Sequence, residues 1–306
     1  MRAYWALVVV LAACGNPAAT GDDAMTDGGS GDGSMGDAGD GWTTLIERSW
    51  TQIAASESFQ CRQIRIPQDM YISGFRAVTP TGTHHEIVSI TTGSTLVGDY
   101  PCTPTALSNN PGMLYAAGIG STDSNFPPGV ALKVPAGTYV QLYIHVFNAS
   151  DASLTQTSGV QVKLANPADV LHEADMMFGG RRSFTIPYTD PPTPYHVLAD
   201  CGAPEDWHIV GLWPHMHDLG VHQNVAVRRA SVVINTLLDT DYSYLDEKSY
   251  AMDVTVTASD RVGFDCTFLN TTGNPVGASD GQNGEMCFTG FYKWPAGGDP
   301  YYCVNP

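Results

Sequence analysis

The residues best suited to chemistry in this chain are histidines, and several of its nine histidines occur in pairs. His215 and His217 flank Met216, and residues i and i+2 of a β-strand point to the same face of the sheet. Two imidazoles side by side are a natural pair of metal ligands. Two histidines on the outer face of a strand would give the same pattern, so this motif alone leaves both interpretations open.

A second pair, His84-His85, follows a turn. Adjacent residues on a regular strand face opposite sides, so both can bind one ion only if the backbone twists there or the rings use different nitrogens. Otherwise one ring is buried and the other exposed. His145 lies in an apolar strand segment, where a lone histidine is usually a core residue with its polar atoms satisfied.

Met286 is the candidate soft ligand, in the segment Gly284-Glu285-Met286-Cys287. A thioether suits Cu(I) and is an unusual ligand for zinc or magnesium. The alternative for any single methionine is core packing.

Composition favours short strands connected by turns. The chain has 306 residues, of which 43% are hydrophobic and only 15% charged, and it contains 32 glycines and 20 prolines. β-rich runs alternate with turn residues at a spacing typical of β-sandwiches. We therefore predict an all-β fold of two tandem antiparallel β-sandwiches, residues 43–166 and 167–306, and interpret Val225–Leu238 as one β-rich run.

The formal net charge of −17 argues against nucleic acid as a partner. A nucleic-acid binder needs a basic face to neutralise phosphates, and the sequence has none.

The N-terminus is typical of an exported protein. Arg2 precedes a short apolar run that ends Leu-Ala-Ala-Cys at Cys14, which resembles the bacterial lipoprotein signal; an ordinary signal peptide is the alternative. Residues 1–14 would then be the signal, with the lipid on Cys14 as the sole membrane attachment. Gly15 favours the outer membrane, and therefore a periplasmic or cell-surface location. Residues 15–42 are rich in Gly and Asp and predict a disordered linker.

Six cysteines remain when Cys14 is set aside. An even number in an oxidising compartment predicts three disulfides, but arithmetic alone leaves 15 pairings open.

The order of these motifs along the chain is more informative than any one of them. His-His, a lone His, His-x-His and then Glu-Met-Cys resembles the copper type II, ascorbate-dependent monooxygenases, the family of the peptidylglycine and dopamine hydroxylases. The resemblance runs from roughly Ile64 to Cys303 and is carried chiefly by residues 211–220 and by the closing segment 266–287. It implies two jelly-roll-like β-sandwiches, each with one copper, facing across a solvent-filled cleft.

The resemblance also implies residue roles. His84, His85 and His145 would bind a copper that stores and donates an electron. His215, His217 and Met286 would bind the catalytic copper, where O₂ and a small organic substrate meet. The external reductant would be ascorbate or another one-electron donor. The implied disulfides are Cys61–Cys102, Cys201–Cys303 and Cys266–Cys287.

Two positions depart from the family pattern. Peptide-amidating members hold the substrate carboxylate with an arginine before the His-x-His pair and a tyrosine after the methionine, where this chain has Trp213 and Gly290. We therefore expect that a peptide ending in glycine is not the substrate. The aromatic residues nearby form either an apolar pocket or sandwich core: Trp213, Phe288, Phe291 and Tyr292.

The main alternative to an enzyme is a binding protein. A copper-scavenging surface lipoprotein would keep the ligands and lack a usable cleft. A zinc hydrolase is disfavoured because no HExxH motif is present.

Three carboxylates adjoin ligand positions and could either orient imidazoles or simply be solvated: Glu86, Asp218 and Glu285. Four histidines receive no ligand role: His172, His196, His208 and His222.

Overall fold

The structure, a computed structural model, describes residues 40–92, 94–103, 112–118, 120–279 and 283–306. The predicted signal with Cys14, and residues 15–39 of the predicted linker, lie outside these ranges. Within them the regular structure is β-strand apart from one 3-10 turn, Pro167–Asp169. No helix in this part of the chain is long and apolar enough to cross a membrane.

Ten strands precede the 3-10 turn and eleven follow it in the described ranges. The first ten are β1 (Thr43–Gln52), β2 (Ser56–Arg65), β3 (Met70–Val78), β4 (Thr83–Thr91), β5 (Gly98–Pro101), β6 (Gly112–Gly118), β7 (Ser124–Asn125), β8 (Val130–Val134), β9 (Tyr139–Asn148) and β10 (Leu154–Leu164). The others are β11 (His172–Arg181), β12 (Thr185–Ile186), β13 (Pro194–Gly202), β14 (Trp207–His215), β15 (Gly220–Arg229), β16 (Val232–Asp241), β17 (Tyr250–Val256), β18 (Arg261–Leu269), β19 (Val276–Gly277), β20 (Cys287–Trp294) and β21 (Cys303–Asn305).

Each half of the chain is a pair of facing sheets. In the first half, strands in the order β1-β10-β3-β8 face the sheet β5-β2-β9-β4-β6, and buried residues of both sheets, such as Ile72 and Leu142, share one core. In the second half, β11-β20-β14-β17 face β13-β18-β15-β16 around a core that includes Ile209 and Phe264. The alternation of inward apolar and outward polar residues produces this arrangement. The predicted all-β fold of β-sandwiches is confirmed.

The two halves are joined by one continuous sheet. β8 and β11 pair in parallel, with Val130 opposite His172 and Leu132 opposite Ala174. The sheet therefore runs without interruption from β1 to β17. The chain crosses from one half to the other near the predicted boundary at Asn166, but the core of the first half continues into the second, where it includes Tyr292.

Three disulfides join distant strands. Cys61–Cys102 links β2 to the residue after β5, Cys201–Cys303 links β13 to β21, and Cys266–Cys287 links β18 to β20. All three predicted pairings are confirmed. The last connects the two facing sheets of the second half and fixes the residue next to Met286.

The end of the predicted linker belongs to the folded part. Trp42 is only 2% exposed. The charged groups of Arg76 and Lys163 lie over its ring at 4.4 and 4.6 Å, and Asp40 forms an ion pair with Arg76 at 2.8 Å. These residues were assigned to the linker from composition, which does not reveal whether one aromatic side chain is buried.

The run Val225–Leu238 is a hairpin formed by β15 and β16. Ala230 and Ser231, at its turn, have φ of 47° and 68°. Two consecutive left-handed residues are what a type I′ hairpin turn requires, and Asn-Gly is its usual signature. Ala-Ser lacks that signature, so no turn was predicted.

We predict that Trp42→Ala lowers the free energy of unfolding by about 3 kcal/mol, because truncating a buried tryptophan removes apolar contacts and leaves a cavity. Denaturant unfolding measures the change. Ile53→Ala is the control, because Ile53 is 67% exposed and its truncation should change stability little. Equal stabilities of Trp42→Ala and the parent protein would place Trp42 outside the fold.

Candidate metal centres and their shared cavity

The first histidine cluster forms where β4 and β9 pair. His85 lies directly opposite His145, and the register shifts between Thr83 and His85, which leaves His84 as the extra residue of a β-bulge. A bulge locally twists the strand and redirects a side chain, so two adjacent histidines reach one place. One potential ligand nitrogen from each of the three rings lies within 4.8 Å of the others.

The free nitrogens of this cluster fit a metal ion. Nδ1 of His84 lies 3.0 Å from Nδ1 of His85. His145 donates from Nε2 to Glu57 at 3.1 Å, because a carboxylate only accepts, and its buried Nδ1 has no hydrogen-bond partner among the described residues. A buried polar atom without a partner is costly, and an ion among the three rings would satisfy it.

Burial also sets the charge of these rings. It lowers the pKa of His84 and His145 and holds the pKa of His85 well below its ordinary value. The neighbouring histidines lower the pKa of His84 and His85 further. Neutral imidazole is the form that binds a metal, so the cluster is prepared for one at neutral pH.

The second pair lies where β14 ends at His215. Met216 is fully buried, while the rings of His215 and His217 lie with centroids 5.3 Å apart. His215 and His217 therefore lie on the same face, as predicted, although the strand ends at His215. The Tyr242 hydroxyl lies 3.0 Å from the Met216 nitrogen and 2.6 Å from its oxygen, which fixes this segment. Gly220 is required beside it, because a Cβ there would lie 2.7 Å from Cβ of Met216.

The partners of these two rings determine which nitrogen is free. Nδ1 of His215 donates to Glu247 at 2.8 Å, and Nδ1 of His217 donates to the Gly284 carbonyl at 2.8 Å. Both rings therefore keep Nε2 available. A ligand histidine held by a carboxylate or carbonyl through its other nitrogen is the usual arrangement in metal sites. Burial lowers the pKa of His217 to about 4.

Met286 lines the same cavity as His215 and His217. Its position is fixed on both sides. Cys287 is disulfide-bonded, and the carboxylate of Glu285 accepts the backbone N–H groups of His217 at 2.9 Å and Leu219 at 2.7 Å. The thioether and the two imidazoles thus belong to segments that are hydrogen-bonded to each other.

The three carboxylates proposed to orient imidazoles have different positions. Glu285 holds the backbone of His217 rather than its ring. Glu86 is fully buried, and burial raises its pKa well above the ordinary value. Within the described residues no histidine ring bonds to Glu86 or Asp218. The carboxylates that do bond to ligand rings are Glu57 and Glu247.

Both clusters open onto one cavity of about 480 Å³. His85 and His145 of the first cluster line it together with His215 and His217 of the second. The Tyr244 ring lies between the clusters, with its centroid 4.9 Å from that of His84 and 5.8 Å from that of His217. Burial, followed by several nearby carboxylates, raises the pKa of Tyr244, so the phenol is protonated.

Sequence patterns did not predict a role in the site for Tyr242, Tyr244 or Glu247. All three lie in the β16–β17 connection, residues 242–249, about thirty positions from His215, and share no local motif with it. The same connection reaches the first half of the chain, where the Ser121 hydroxyl donates to the Glu247 carbonyl at 2.8 Å. It therefore carries site residues and also touches both halves.

Three of the four aromatic residues singled out from the sequence belong to the core: Trp213, Phe291 and Tyr292. Trp213 and Phe288 line the cavity, and Trp213 stacks on His215 with centroids 4.9 Å apart. Phe291 and Tyr292 are core residues, and the Tyr292 hydroxyl donates to the Leu114 carbonyl at 2.7 Å. The cavity wall is thus partly aromatic, and most of the predicted pocket residues are core residues, with Trp213 belonging to both.

The remaining histidines lie elsewhere. His172 and His208 stack on Trp294 with centroids 3.8 and 3.6 Å from its ring. His196 bonds to Asp265, and His222 pairs with Asp239.

Comparison with known proteins gives no relative by sequence: no protein family and no curated protein matches the chain. Among solved structures, a T13 particle of infectious bursal disease virus matches at 9% identity over 90% of this chain and 74% of that one, with a TM-score of 0.22. The Gt strain of the same virus matches at 7% identity over 86% and 75%, with a TM-score of 0.23. Likenesses this weak support no inference about function.

If the second cluster holds a soft metal ion, we predict that Glu247→Gln weakens its binding about 10- to 100-fold, because the carboxylate that orients His215 is lost. A Cu(I) competition titration measures this. Asp246→Asn is the matched control, since Asp246 is the exposed neighbour and pairs with Lys248. Unchanged affinity in Glu247→Gln would show that Glu247 does not orient a ligand.

Proposed function

We propose that this chain is an exported dicopper monooxygenase that hydroxylates a C–H bond of a small organic substrate. The overall reaction consumes one O₂, two electrons and two protons, and places one oxygen atom in the C–H bond and the other in water. The electrons come from an external one-electron donor such as ascorbate. The observation that carries the proposal is that two donor clusters of different softness open onto a single cavity.

The donor sets support copper. His84, His85 and His145 offer three neutral imidazoles, a set suited to a copper that changes oxidation state. His215, His217 and Met286 add a soft thioether, which favours Cu(I) and makes zinc an unsuitable occupant. Copper bound at these positions would supply one-electron redox chemistry and O₂ activation.

The protein's own residues orient and shield the site. Glu247 and the Gly284 carbonyl keep the protons of His215 and His217 on Nδ1 and leave both Nε2 atoms free, so these would be the atoms that hold a metal. Trp213 and Phe288 give the cavity apolar walls, which limit water near the reacting groups. Tyr244 occupies the space between the clusters and keeps its hydroxyl proton at neutral pH.

The second candidate, a copper-scavenging lipoprotein, needs the ligands but has no use for a substrate cavity. The cavity of about 480 Å³ with aromatic walls favours the enzyme, because such cavities are typical of small-molecule sites. Export is supported by the three disulfides, which persist in oxidising compartments. Lipid attachment at Cys14 is proposed from the sequence.

We predict that the protein binds two copper ions per chain and that Met286→Ala or His215→Ala reduces this to one, because either change leaves the second cluster two ligands. Metal analysis after dialysis measures the stoichiometry. His196→Ala, a change at an exposed histidine paired with Asp265, should retain two. Two coppers in all three variants would contradict the assigned ligands.

We predict that the copper-loaded protein consumes O₂ with ascorbate faster when a substrate is present, with one hydroxylated product per O₂. An oxygen electrode combined with product analysis tests this over a panel of aromatic amines, aromatic acids and fatty amides. Two bound coppers with no substrate-coupled uptake across the panel would favour the scavenging protein.

A further inference from the structure

We infer that the cavity binds an apolar substrate carrying one anionic group, with Arg182 as the anchor for the anion. The inference rests on the proposed function for the reaction, and on the cavity itself for the binding. The site consists of a row of aromatic side chains that begins at His215 and ends at the Arg182 guanidinium.

The row is built by strand register. In the sheet, Gly290 of β20 lies opposite Phe178 of β11 on one side and Trp213 of β14 on the other. A Cβ at Gly290 would lie 3.3 Å from Cε3 of Trp213 and 3.5 Å from Cε1 of Phe178. The glycine therefore lets the two rings approach from both sides. Trp213 in turn stacks on His215, with centroids 4.9 Å apart.

The row continues toward solvent. Phe178 stacks on Tyr301 with centroids 5.4 Å apart, and the Arg182 guanidinium carbon lies 4.7 Å above the Tyr301 ring. Exposure increases in the same direction, since Trp213 is 4% exposed, Phe178 6% and Tyr301 37%. All of these side chains line the cavity. The apolar wall thus leads from a metal-ligand position to an exposed cation.

Arg182 is available for a ligand. In the described part of the chain, the arginines in ion pairs are Arg62, Arg76, Arg229 and Arg261, and Arg182 is not among them. Its neighbour Arg181 also lines the cavity, but that guanidinium donates to the carbonyls of Ser183 and Leu198. In a chain of net charge −17, a free guanidinium at a cavity is a local site of attraction for anions.

The deep end of the cavity has little free negative charge for a cationic group. Three carboxyl groups line the cavity. Glu247 accepts from His215, Glu285 accepts two backbone N–H groups, and Glu86 is fully buried. An amine would therefore compete with existing partners at Glu247 and Glu285, whereas an anion meets a guanidinium that forms no ion pair with the described residues. Because several rings separate Arg182 from His215, the carbon that reacts lies remote from the anion, at the far end of an apolar segment.

The test is a binding titration that does not depend on turnover. The probes are ω-phenylalkanoates with two to six methylenes and the alcohols and amines of the same lengths, titrated calorimetrically into the copper-free and the copper-loaded protein. We expect the best carboxylate to bind at least about tenfold tighter than its alcohol and amine, since a charge-assisted contact to arginine is involved. Arg182→Gln should remove that preference and leave alcohol binding unchanged.

Arg181→Gln is the matched control and should keep the preference, because that guanidinium bonds to backbone carbonyls. Equal or tighter binding of the amine, retention of the preference in Arg182→Gln, or no binding of any probe would overturn the inference. Carboxylate-selective binding without substrate-coupled O₂ uptake would instead count against the proposed reaction and leave the binding site standing. Substrate-coupled O₂ uptake without a carboxylate preference would count against the inferred binding site and leave the proposed reaction standing.

Discussion

The site depends on which nitrogen of each imidazole is left free. A neutral imidazole has one N–H and one lone pair, so a hydrogen-bond acceptor on one nitrogen directs the lone pair of the other. Glu57 holds Nε2 of His145, whereas Glu247 and the Gly284 carbonyl hold Nδ1 of His215 and His217. His145 therefore presents Nδ1, whereas His215 and His217 present Nε2. Burial lowers the pKa of His145 and of His217, which favours the neutral form of these two rings.

The fold brings these acceptors to the rings by joining two sandwiches at one sheet. The parallel pairing of β8 with β11 places the two halves side by side, so histidines from β4, β9 and β14 face one cavity. The 242–249 connection then adds Tyr244 between the clusters and Glu247 behind His215. The disulfide Cys266–Cys287 fixes the segment that carries Met286. Each ligand position is thus determined by contacts far apart in sequence.

Local sequence patterns predicted the parts of the site in which the residues follow the alternation of a β-strand. Alternation along a strand predicts that His215 and His217 face one way, and composition predicts strands and turns. The same alternation left His84 and His85 undecided, because a β-bulge has no signature in these residues. The hairpin turn at Ala230-Ser231 was missed for the same reason. Glu247 was out of reach because its partner is distant in sequence. The disulfide pairings came from the family resemblance, since cysteine counting left them open.

The most direct test of the account is a crystal structure of the copper-loaded protein with anomalous scattering recorded at the copper edge. The account predicts two peaks in the cavity. One would be bonded to His84, to His85 and to Nδ1 of His145, and the other to Nε2 of His215 and His217 and to the sulfur of Met286. A single peak, or copper bonded to His215 through Nδ1 with Glu247 displaced, would contradict it.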